Sequence, residues 1–247
     1  MVPRRLIHSL KDGSCGIIAT SAAFCTAMFE PISALHYFRI LTSDASSIPL
    51  LEAAASIAVD AYPTLDVQAT LSEVDGLASE LAKRCKSAHT DHERLQLALR
   101  FFYGEMGFSG NTENYYDREN SYLHRVLQTR RGIPITLAVL FVELARSVGL
   151  QVEGVSFPGH FMVKATLKEG VVVIDPFTGE SLDRAELGAR AAAFGLRPER
   201  LLNPASNQQI LIRMLNNLQA IHTQHGDKEL IDQVNARLQI LQGESIH

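Results

Sequence analysis

RGIPITLAVLFVELARSVGL, residues 131–150, runs directly into QVEGVSFPGHFMVKATLKEGVVVIDPF, residues 151–177. The first part predicts one helix. Pro134 suits a first helical turn, where its missing N–H costs nothing, and Gly149 suits the left-handed residue that ends a helix. Between them the chain is apolar almost all round, which marks a helix buried at the centre of a fold. The second part changes period. Val152–Phe157 alternates, Pro158-Gly159 turns, and His160–Leu167 and Val171–Ile174 are β-branched or apolar runs joined at Lys168-Glu169-Gly170. That is the pattern of antiparallel strands joined by hairpins.

Upstream, Leu50, Leu51, Ala54, Ile57, Ala58 and Ala61 recur near a 3.6-residue period. Pro63 ends that helix and Asp66 caps the next, whose apolar face is Leu71, Val74, Leu77, Ala78 and Leu81. A third helix begins near Asp91, with Asp91 as its N-cap, and breaks at Gly107, Gly110 and Asn111. Asn111–Ser121 is a polar loop, and a helical turn then points Leu123, Val126 and Leu127 inward. Downstream, 184–194 reads as helix, and Pro198, Asn203 and Pro204 mark a linker. Ile210, Leu211, Met214, Leu215, Leu218 and Ile221 then form one amphipathic helix. It turns at His225-Gly226-Asp227 into a second helix over 230–241. The order is helices, central helix, strands, helical hairpin: an α+β protein.

Composition narrows the function. The chain has 247 residues, 46% of them apolar and 20% charged, enough for a real core. A net charge of −4 builds no broad basic surface, so nucleic acid is not an expected partner. Three cysteines, Cys15, Cys25 and Cys85, give neither a disulfide framework nor zinc spacing, and a reducing, cytoplasmic setting fits them. No phosphate loop or metal motif is present, so no cofactor or metal is expected. Arg4, Arg5 and Lys11 precede a weakly apolar stretch, Gly16–Phe29, that is too short to span a membrane and lacks a clean cleavage site. It reads as an extension, with Met28 as an alternative start.

The chemistry-bearing pair is His160, opening one strand, and Asp175, closing the next. The two-residue period of strands can bring them to one end of one face. A carboxylate beside an imidazole fixes its tautomer and raises its basicity. This is two-thirds of a Cys-His-Asp site. The missing member would be a thiol at a helix N-terminus, where free N–H groups and the helix dipole lower its pKa. The buried helix begins Pro134, Ile135, Thr136, and none is cysteine. An unassisted threonine hydroxyl is a poor nucleophile. Cys85 reads as a structural thiol. A thiol enzyme using it or an upstream cysteine would need that sulfur within about 4 Å of His160.

The motifs Asn120-Ser121-Tyr122-Leu123, Arg131-Gly132-Ile133-Pro134-Ile135-Thr136-Leu137-Ala138, Gly154-Val155, Phe157-Pro158-Gly159-His160-Phe161 and Ile174-Asp175-Pro176-Phe177 together resemble the SirB-type family. Those are bacterial proteins with a transglutaminase-like core and a carboxy-terminal tetratricopeptide segment, and the resemblance runs over about 38–242. It implies a papain-like α+β core, a central helix on an antiparallel sheet. It also implies the organisation: 1–37 an extension, 38–110 a helical part, 111–197 the transglutaminase-like core, and 205–243 a tetratricopeptide-like hairpin. One such hairpin cannot bury its own face, so it should dock on the core. By the same resemblance His160 and Asp175 match the catalytic His and Asp of active relatives, and Pro134 stands where their cysteine would be.

The expectation is therefore a non-catalytic scaffold or regulatory protein whose partner is another protein. The alternative is a residual hydrolase or amidase in which His160, oriented by Asp175, activates water. Asn120, Arg130, Arg131, Pro134 and Thr136 are candidates to line the same groove because they flank the helix start; the other reading of Asn120, Arg130 and Arg131 is that they brace the loop before that helix by hydrogen bonds. Tyr115 and Tyr116 are possible ligand contacts on the preceding loop.

Overall fold

The computed structural model describes residues 32–195, 197 and 201–243. The expectations for Cys15, Cys25, Met28, the Gly16–Phe29 stretch and Pro198 lie outside the described residues.

The amino-terminal half is a layer of helices. Helix α1 spans Ala34–Leu41, capped by Ser33, whose hydroxyl accepts from the His36 N–H. Helix α2, Leu50–Ser56, continues as a 3-10 turn through Asp60, and α3, Val67–Arg84, starts on Asp66, which accepts from the Ala69 N–H at 3.1 Å. Helix α4, Asp91–Leu99, starts on the residue expected to be its cap, so the cap lies one residue earlier. Thr90 is its N-cap, because Thr90 and Glu93 answer each other's backbone N–H in a capping box. A π-helical turn, Arg100–Glu105, follows and seats Phe101 and Phe102 in the core.

Helix α5, Leu123–Thr129, leads into α6, Pro134–Ser147. Between Gly132 and Ala145 only Glu143 is exposed, so α6 is the central buried helix that its composition required. One side of α6 meets α3 and α5. The other meets a four-stranded antiparallel sheet, β3 (Gln151–Phe157), β4 (His160–Leu167), β5 (Gly170–Ile174) and β6 (Ser181–Leu182), in that spatial order. Ahead of it, β1 (Ser109–Gly110) and β2 (Arg131–Gly132) form a two-residue parallel pair beside the start of α6. The sheet splits the core by parity. Phe161, Val163 and Ala165 join the main core with α6, while Phe157, Met162 and Val173 pack under α7 (Arg184–Ala192) with Leu187 and Ala191.

The carboxy-terminal hairpin is α8, Asn207–His225, and α9, Lys228–Gln242, turning at Gly226 with φ 75°. Its apolar residues Ile210, Leu211, Met214, Leu215, Val234 and Leu238 belong to the main core, so the hairpin docks on the rest of the chain. The segment leading into it lies along the outer edge of β3: Val155 bridges Pro204, and the Ala205 N–H donates to Gly154 O at 2.9 Å. No helix among the described residues is long and apolar enough to cross a membrane.

Two buried histidines make this packing acid-sensitive. His222 of α8 is 1% exposed, within 3.2 Å of the Tyr122 hydroxyl and 3.4 Å of Asp227. His124 of α5 is also buried. Burial lowers the pKa of both; Asp227 opposes this at His222, and Arg125 adds to it at His124. Unfolding restores the ordinary histidine value near 6.5, so the unfolded chain binds more protons once the pH drops below it. Stability should be full above about pH 6.5 and fall below it, by up to about 1.4 kcal/mol per pH unit for each histidine. Urea midpoints at pH 7.5, 6.5 and 5.5 check this, and a midpoint flat down to pH 5.5 contradicts it.

Candidate functional site

The β3–β4 hairpin turns on Pro158-Gly159, and the positive φ of 69° at Gly159 suits a residue without a Cβ. His160 therefore stands at the first position of β4, paired with Phe157. By parity it shares the side of Met162, facing α7. Asp175 follows the last residue of β5, and its loop doubles back. The Asp175 N–H donates to Glu180 O, and the Gly179 N–H donates to Asp175 O, each at 2.8 Å.

The helical layer grips this loop at two points. The Tyr103 hydroxyl donates to Pro176 O at 3.1 Å, with the ring of Tyr103 flat under Gly179. The Phe177 ring lies over Gly110, where a Cβ would sit 2.3 Å from it, and the Gly110 N–H donates to Phe177 O at 2.9 Å. So the aromatic ring needs the bare backbone of β1, and Asp175 inherits a fixed position.

His160 Nε2 and Asp175 Oδ1 are 2.8 Å apart. The same oxygen accepts from the Phe177 N–H at 2.9 Å, and Arg190 Nη1 lies 3.5 Å from Oδ2. Burial opposes ionisation of Asp175, but the hydrogen bonds from His160 and Phe177 and the charge of Arg190 outweigh it and hold its carboxyl below the usual range. An ionised carboxylate only accepts, so Nε2 is the donor to it, which leaves Nδ1 as the ring nitrogen turned away from the carboxylate. Beside the pair is an open cavity of about 530 Å³, lined by Asp175, Thr178, Gly179, Glu180, Glu186 and Arg190.

The residues expected to line a groove at the start of α6 are placed differently. Thr136 is fully buried, and its hydroxyl donates to Asn120 O at 2.8 Å or Ile133 O at 3.0 Å while accepting from the Ile133 N–H at 3.2 Å. Asn120 is buried too. Its amide donates to Asn114 O and Tyr115 O and its oxygen accepts from Asn111, so it folds the 111–120 loop from within. Pro134 is buried. Arg130, in the left-handed conformation that ends α5, stacks on Phe108 4.6 Å away and lies 3.7 Å from Glu73, while Arg131 donates to Gly107 O. Asn120, Thr136 and Arg131 are taken up by backbone groups of the loop and of the α6 start, and Arg130 by a ring and a carboxylate, so these side chains brace the helical layer and the loop, the second of the two roles expected for Asn120, Arg130 and Arg131. Tyr115 and Tyr116 are exposed, and Tyr115 lies 5.9 Å from the Phe177 ring.

Cys85 is buried after the end of α3, and burial pushes its thiol up although Arg94 lies nearby. Among the described residues, neither His160 nor Asp175 is hydrogen-bonded to a sulfur or to the first turn of α6. Sequence reasoning missed Tyr103, Gly110, Arg190 and Arg213 as parts of this end of the fold, and read Phe177 and Gly179 only as turn residues after Asp175. Only the Asp-Pro-Phe-x-Gly turn carried a signal for any of them.

A family model described as the transglutaminase-like superfamily matches residues 68–216. A UPF0162 protein of Xylella fastidiosa is 37% identical over 203 residues, which span 79% of this chain and 72% of that protein. A UPF0162 protein of Vibrio cholerae is 29% identical over 183 residues, 72% of this chain and 67% of the relative. F-box only protein 21 of Mus musculus is 33% identical over 144 residues, 53% of this chain and 21% of that protein. No solved structure matches the chain.

Proposed function

This chain belongs to the transglutaminase-like superfamily and to the UPF0162 family, and we propose that it acts without catalysis, as a scaffold or regulatory protein that binds another protein. One observation carries the reading. At the start of α6, where the resemblance puts a catalytic cysteine, stands Pro134, and the hydroxyl two residues on, that of Thr136, is sealed in the interior and committed to backbone groups. Removing a nucleophile removes orders of magnitude of rate. The 144 residues shared with F-box only protein 21 make up 21% of that protein, so such a module also occurs within a longer chain. In this reading the α8–α9 hairpin is a single tetratricopeptide-like unit that the core has absorbed, and the setting is cytoplasmic.

The Nδ1 of His160, turned away from Asp175, favours a second reading, a slow hydrolase in which that atom takes a proton from water. One experiment separates the two. Turnover of p-nitrophenyl esters and peptide amides is measured for wild type and His160→Ala. Equal rates at the buffer background are expected. A wild-type rate about tenfold or more above the variant would replace the scaffold reading with the hydrolase. Binding is tested by affinity purification with wild type beside Tyr116→Ser, a change at an exposed ring next to the site. We expect at least one protein retained by the first and lost by the second. If neither retains a protein, the interaction reading is abandoned.

A further inference from the structure

Arg213 lies on α8, outside the sheet, yet its guanidinium closes the end of the hairpin that carries His160. Nη1 donates to Ser156 Oγ at 2.8 Å and to Phe157 O at 3.1 Å, and Nη2 donates to His160 O at 2.9 Å. Those two carbonyls flank the Pro158-Gly159 turn, so one planar group ties the end of β3 to the start of β4. The Phe161 ring supports it from 5.6 Å. Pro158 has no N–H to give the turn, and Gly159 has no side chain to stiffen it.

Among the described residues no carboxylate lies within 4 Å of this guanidinium, although burial lowers its pKa. A half-buried cation without a counter-ion gains nothing from ion pairing. What it contributes here is geometry: a rigid fork of donors that satisfies three acceptors at once. His160 is the residue that needs this geometry. Its Cα belongs to the peptide unit Arg213 holds, and its ring must arrive within hydrogen-bonding distance of a carboxylate that the helical layer fixes independently through Tyr103 and Gly110.

We propose that Arg213 is a positioning residue for His160, which makes the carboxy-terminal hairpin a working part of the site and not an appendage to it. The proposal rests on the His160 end being the functional end of the molecule. Its test needs neither partner nor substrate, so its failure is distinct from failure of that reading.

The experiment is long-range proton–nitrogen NMR of the His160 ring, together with hydrogen exchange of backbone amides, in wild type, Arg213→Met and Arg213→Lys. Methionine keeps the packing on Phe161 and removes every donor, while lysine keeps the charge and loses the fork. Solvent exchange of the His160 Nε2 proton should quicken about tenfold in the methionine variant and less in the lysine variant. The amides of 157 and 159–161 should follow, and those of β5 should not. An Nε2 exchange rate within about twofold of wild type in Arg213→Met overturns the proposal. So does a speed-up shared equally by β5, which would mean general destabilisation. Should Arg213→Met fail to fold, the lysine variant decides on the same criteria.

Discussion

Gly179→Ala should lower stability by about 2–5 kcal/mol and release Asp175 from His160. Two costs combine. Gly179 has φ 79°, where a residue with a Cβ is strained by roughly 1–2 kcal/mol. The new methyl would also meet three atoms of the Tyr103 ring at 2.7–2.9 Å. That ring cannot swing aside cheaply, since it packs on Phe102 and Phe141 and its hydroxyl holds Pro176 O. Overpacking of this kind costs about 1–3 kcal/mol. The N–H of the same residue closes the loop onto Asp175 O, so relief of the clash pulls on the carboxylate. Urea unfolding measures the first effect and the His160 ring proton the second. A loss under about 1 kcal/mol would show that the loop has slack the structure does not suggest.

An equally large loss is expected from Asp60→Ala. Arg237 of α9 is 0% exposed, and both terminal nitrogens bind Asp60, at the end of the 3-10 turn after α2; Nη2 to Oδ1 is 3.1 Å. Its Nε has no hydrogen-bond partner among the described residues, and Phe38 lies 5.5 Å from the guanidinium carbon. Deleting one member of a buried ion pair strands the other, at about 3–5 kcal/mol. Replacing both members with apolar groups need not cost anything, because neither charge must then leave water. The double variant Asp60→Ala with Arg237→Met should therefore recover most of the loss. If single and double variants unfold at the same denaturant concentration, the stranded charge is not the cause.

The backbone plan was legible where one local rule governed it. Pro134 and Gly149 bracket α6, and the β-branched and apolar run from His160 to Leu167, behind the Pro158-Gly159 turn, marks β4 to the residue. Where pairing is only two residues long, as in β1, β2 and β6, no periodicity can build up, and these strands went unread. The cap of α4 slipped by one because Thr90 and Asp91 are both good N-cap types, and only the reciprocal bond with Glu93 decides between them.

Side-chain roles were less legible. His160 and Asp175 could be placed together from strand parity, since each sits at a strand end. Asn120 and Thr136 flank a helix start, a position that suits a groove as well as a brace, but carbonyls of Asn114 and Tyr115 claim the Asn120 amide and those of Asn120 and Ile133 claim the Thr136 hydroxyl. Arg213 and Arg237 are cations set in amphipathic helices. The partners of Arg213 lie 53–57 residues away and Asp60 lies 177 residues from Arg237, distances over which sequence pattern carries no information.

The course of residues 204–205 along β3 constrains how another protein can be recognised. Strand addition, in which a partner peptide extends a sheet through backbone hydrogen bonds, requires an open flank. On β3 that flank is taken at Gly154 and Val155, and the occupying proline has no N–H with which to pass the ladder outward. At the opposite flank β6 offers two residues, too few for a register. A partner of this sheet must therefore be chosen by the shape and chemistry of side chains, so changes to surface residues should redirect its choice more readily than they would in a protein that reads main chain.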